Sequence, residues 1–66
     1  MSMNLPLDAK MIAELVKMTL VQGGMDPGEA KTTAAANAAG ARYAMLNGLN
    51  GKSGLTAIRE FARTLL

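Results

Sequence analysis

The sequence contains no cysteine, no histidine and no tryptophan, and its only aromatic residues are Tyr43 and Phe61. Without cysteine there can be no disulfide. Without cysteine and histidine there is no zinc cluster of the usual kind and no imidazole general base. No apolar run approaches the roughly 20 residues needed to cross a bilayer. The opening "MSMNLPLD" has neither the basic nor the apolar region of a secretory signal. These absences lead to the expectation of a chain without cofactor, metal or membrane partner, located in the cytoplasm.

Half of the 66 residues are nevertheless apolar. Alanine dominates with twelve copies, against two valines and two isoleucines. A composition rich in the best helix former and poor in β-branched residues indicates an all-α fold. A chain this short forms one domain, residues 1–66, and hides only about 60% of its unfolded surface. Small domains of this kind are commonly completed by disulfides, a metal or a second subunit. With the first two excluded by composition, homodimerisation is the expected device. Residues 1–6 precede the first helical pattern and are expected to be disordered.

Three helices can be read from the pattern. The first, about residues 8–22, begins at Asp8 as N-cap and ends at Gly23-Gly24. Lys10, Glu14 and Lys17 form one narrow polar stripe, while Met11, Ile12, Leu15, Val16, Met18 and Leu20 cover more than half of the circumference. That apolar arc is wider than a single neighbour requires, so burial on two sides is expected. The second, about residues 27–47, opens with Asp26, Pro27 and Glu29 in the order of a capping box, and closes at Asn47-Gly48. Ala30, Ala34, Ala38, Ala41 and Met45 share a face, flanked by further small residues. The third, about residues 54–66, has Ser53 as expected cap. Its clean apolar half comprises Leu55, Ile58, Phe61, Ala62, Leu65 and Leu66.

Two stretches suggest a ligand and fail on detail. Gly51-Lys52-Ser53 looks like the end of a phosphate loop, but Leu46 stands where the first glycine must be, and a helix rather than a strand precedes it. Ala36 and Gly40 have the spacing of the small residue and turn glycine of a helix-turn-helix. A recognition helix starting near Arg42 would carry Asn47, Asn50 and Lys52 toward DNA, with Leu46 and Leu49 inside. Against this, Asn47-Gly48 and Asn50-Gly51 would interrupt that helix. The carboxylates sit at helix starts or beside lysine and arginine, leaving no idle acidic pair, and neither Ser2 nor Ser53 lies in a nucleophile elbow. An enzyme is not expected.

Charge is uneven along the chain. Residues 1–40 hold three lysines against four acids, whereas residues 41–66 hold Arg42, Lys52, Arg59 and Arg63 against Glu60 alone. The sequence therefore leads to a small non-enzymatic regulator or adaptor that acts by helix-mediated association, with itself and with a larger protein. The expected interface is Met11, Ile12, Leu15, Val16, Met18, Leu20, Phe61 and Leu65, with methionine as adaptable contact surface. The alternative is a small DNA-binding regulator whose anion or nucleic-acid contacts are Arg42, Lys52, Arg59 and Arg63.

Overall fold

The computed structural model describes residues 8–66. The expected disorder of residues 1–6 falls outside the described residues. Three helices make up the fold: α1 (Ala9–Gln22), α2 (Pro27–Asn47) and α3 (Gly54–Arg63), each packed against the other two.

The two acidic caps work as anticipated. Asp8 accepts a hydrogen bond from the Met11 amide at 2.9 Å. Asp26 accepts from the amides of Gly28 and Glu29 at 3.0 and 3.2 Å, satisfying two of the donors a helix start leaves open. Pro27 occupies the first turn, where its missing N–H costs nothing. α1 ends in a Schellman motif: the Gly24 amide donates to Val21 and the Met25 amide to Leu20, at 3.0 and 2.9 Å. Gly24 sits at φ +105°, which a residue with a Cβ adopts only under strain. The half-buried Met25 then packs onto the core, bringing α2 back along α1.

Two expectations for α3 need correction. Ser53 stands in the cap position, yet its side chain makes no capping bond. Gly54, the first residue of α3, enters the helix at a left-handed φ of +63°. The helix also stops at Arg63 rather than at residue 66. Its end tightens into bonds between residues three apart, from Leu65 to Ala62 and from Leu66 to Arg63. The Thr64 hydroxyl joins them by donating to the Phe61 carbonyl at 2.6 Å.

The core is built from Ile12, Val16 and Leu20 of α1, Ala30, Ala34, Ala41 and Met45 of α2, and Ile58 and Ala62 of α3. No polar side chain is buried in it among the described residues. The small face of α2 is a platform on which bulkier side chains land. Phe61 lies so close over Gly40 that a Cβ there would come within 2.7 Å of its ring. α2 runs unbroken through Gly40, and Leu46 is exposed. The helix-turn-helix geometry considered above is therefore not formed: strong helix formers surround that glycine on either side.

Between α2 and α3 the chain makes a miniature hairpin. Leu49 and Lys52 exchange both backbone hydrogen bonds, at 2.8 and 2.9 Å. The two residues between them, Asn50 and Gly51, have φ values of +53° and +78°. Positive φ at both central positions defines a type I′ turn, for which Asn-Gly is the preferred pair.

Candidate interaction surface

The wide apolar arc of α1 divides into two parts. Ile12, Val16 and Leu20, spaced four residues apart, are 0% exposed. Expected as interface residues, they belong instead to the core of the single chain, because α2 and α3 cover them from both sides. Met11 and Met18 stay about half exposed, at 51% and 49%. Leu15, between them, is half-buried against the core. On the helical wheel these three fall within a narrow sector, one turn after another.

Leu55, at the start of α3, extends this stripe sideways. Together with Met11, Glu14 and Leu15 it lines an open depression of about 320 Å³. A second depression of about 370 Å³ continues along α1, between Glu14, Lys17, Met18, Val21, Gln22 and Pro27. Its apolar floor ends at Val21, which is exposed. Leu55 and Val21 were not among the anticipated interface residues. Leu55 could not be placed there from its own helix, where it reads as part of the buried half.

Phe61 and Leu65 are half-buried inside the chain, on Gly40 and the core respectively. They hold α3 in place and do not join the α1 stripe. Leu66 folds back toward the α1–α2 joint, near enough that a Cβ on Gly23 would collide with it.

Charge borders the stripe on one side. Lys10, Glu14 and Lys17 have the i, i+4 and i, i+3 spacings at which helical ion pairs form, yet they form none. Among the described residues, the salt bridge between Arg63 and Glu60, at 3.2 Å, stands alone. Of the anticipated anion contacts, Arg42, Lys52 and Arg59 are exposed on three different elements, and Arg63 is engaged by Glu60. Grouped in one basic half of the sequence, they stand in the fold on α2, on the hairpin and on α3. The described residues hold no group of three potential metal-ligating side chains and no helix long and apolar enough to cross a membrane.

The outer face of α2 is a further surface of note. Tyr43 and Leu46 are 68% and 64% exposed, beside exposed Ala35, Ala36 and Ala39. Small residues on that side were visible in the sequence, but the alanine rows gave no basis for telling the inner row from the outer. No protein-family model, curated protein or solved structure matches the chain.

Proposed function

We propose that this protein is a small non-enzymatic regulator or adaptor that acts by helix-mediated association, and that its first partner is a second copy of itself seated on α1. The observation that supports this is the Met11–Leu15–Met18 stripe, apolar and open, running beside charges that the chain leaves unpaired.

The pattern of those charges selects the occupant. Two copies related by a two-fold axis present the same patch to each other. With the axis near Leu15, the two α1 helices run antiparallel, so that Met11 of one copy meets Met18 of the other. In that register the polar edge of one helix lies along the same edge of its mate. Glu14 of each copy then falls opposite Lys17 of the other, giving two complementary pairs. A parallel arrangement would set that edge against the flank holding Ile12 and Thr19, whose one charged residue, Asp8, is engaged as the α1 cap. Leu55 and the two methionines supply apolar contact, with methionine adapting to the partner surface. A larger target protein would use what remains exposed, the Tyr43 and Leu46 face of α2.

Sedimentation equilibrium over micromolar concentrations tests this directly. The wild-type chain is expected to dimerise, Met18→Glu to be monomeric, and Glu14→Lys to weaken association. Combining Glu14→Lys with Lys17→Glu should restore it, because the swap preserves both cross-pairs. A wild-type chain that stays monomeric at high micromolar concentration would defeat the proposal. So would a double swap no better than the single substitution.

A further inference from the structure

The chain contains the tripeptide Leu-Asn-Gly twice in succession, as residues 46–48 and 49–51. Asn-Gly is the pair in which an asparagine side chain is most open to attack by the next backbone nitrogen, because glycine has no side chain to obstruct the approach. The two copies share their local sequence, so a difference in reactivity between them must come from structure.

At the first copy both reacting groups are held. Asn47 is the last residue of α2, and its side-chain nitrogen donates to the Tyr43 carbonyl at 3.2 Å. The attacking group would be the Gly48 nitrogen, and it donates to the Ala44 carbonyl at 2.8 Å. Attack would have to break both bonds and unwind the end of the helix.

At the second copy neither group is held. Asn50 and Gly51 are exposed, and among the described residues neither the Asn50 side chain nor the Gly51 amide has a hydrogen-bond partner. Space around Gly51 is open, since a Cβ added there would meet nothing within 4 Å. Asn50 also carries a positive φ, +53°, uncommon for a residue with a side chain. Only the two Leu49–Lys52 bonds close the turn, so rearranging it disturbs little else.

We infer that Asn50 is a site of spontaneous deamidation, and that the fold directs this chemistry to Asn50 and away from Asn47. Base removes the Gly51 amide proton, and the nitrogen attacks Cγ of Asn50. The new N–Cγ bond closes a five-membered imide, the Cγ–Nδ2 bond breaks, and Nδ2 leaves as ammonia with the returning proton. Water then opens the imide at one carbonyl or the other, giving aspartate or isoaspartate, with no oxidant or reductant involved. Either product places a carboxylate two residues before Lys52. Isoaspartate also adds a backbone carbon to a two-residue turn, which no longer fits the Leu49–Lys52 pairing. The α2–α3 joint thereby becomes a slow, one-way timer of protein age.

The test is incubation of the full chain in mildly alkaline buffer, with peptide mapping by mass spectrometry at intervals and the same series run in concentrated urea. In the folded protein, Asn50 should convert at least roughly tenfold faster than Asn47, the ratio set by the extra local opening Asn47 requires. In urea the two rates should converge, since both lie in Leu-Asn-Gly. Asn50→Gln should abolish most conversion in the folded protein and Asn47→Gln should leave it unchanged. Equal rates in the folded chain, a faster Asn47, or an Asn50 that converts only in urea would each overturn the inference.

Discussion

α2 and α3 solve opposite halves of one packing problem. α2 is twice as long, 21 residues against 10, yet apart from Met45 every residue it buries is an alanine. α3 is short and brings bulk: Ile58 is fully buried and Phe61 packs against the core, joined by Leu65 just past the end of the helix. A small-residue helix lets its neighbours come close but hides little area of its own. The volume must come from whatever lands on it, and much of that volume comes from a helix too short to be stable alone. The lesson is that helix length and contribution to the core are decoupled here.

The comparison can be broken most forcefully at Ile58. Ile58→Ala should cost about 2–5 kcal/mol, enough to unfold much of so small a domain. Ala34→Gly in α2, equally buried, should cost only about 1 kcal/mol, mainly through helix propensity. Urea denaturation of the two variants checks the ratio, and similar losses would mean that α2 carries more of the core than its alanines suggest. The fit between the helices is the next lever. Gly40→Leu should cost about 1–3 kcal/mol by displacing Phe61. The penalty should shrink when Phe61→Ala is introduced alongside it, a coupling that a double-mutant cycle reads out. Smallest is the difference between the helix starts. Asp26→Ala should lose about 1 kcal/mol, whereas Ser53→Ala should be nearly neutral because its hydroxyl caps nothing. Thermal unfolding of the pair would show it.

Much of this arrangement could be read before any coordinates, and the parts that could were local. Asp8, Asp26 with Pro27, and Gly23-Gly24 mark helix boundaries through chemistry confined to one turn, and α1 and α2 begin and end within a residue of those marks. α3 begins where the sequence indicates, at Gly54, and differs only in where it ends and in the unbonded side chain of its cap, for the same reason in reverse. Leu65 and Leu66 keep the apolar spacing of a helix, yet their amides bond to carbonyls three residues back instead of four. The inside of α1 was legible only as an arc. That arc holds Met11 and Met18 as well as Ile12, Val16 and Leu20, and periodicity alone does not say which sector two neighbours will cover. The seating of Phe61 on Gly40 joins residues 21 positions apart and left no trace in either local pattern. The fate of the two Leu-Asn-Gly copies is likewise a matter of context: one finishes a helix and the other closes a hairpin.

That hairpin also bears on how fast the molecule assembles. Its two central residues reverse the chain with only a pair of hydrogen bonds, so α3 starts its return to α2 almost where α2 leaves off. The Schellman turn does the same for α1 and α2. With both reversals made over a few neighbouring residues, most native contacts link segments adjacent along the chain. Relative contact order is then low, and helical domains of that kind reach the native state in microseconds to milliseconds. Lengthening the Asn50-Gly51 reversal with a flexible insert would slow that search by enlarging the loop to be closed, with the core itself left unaltered.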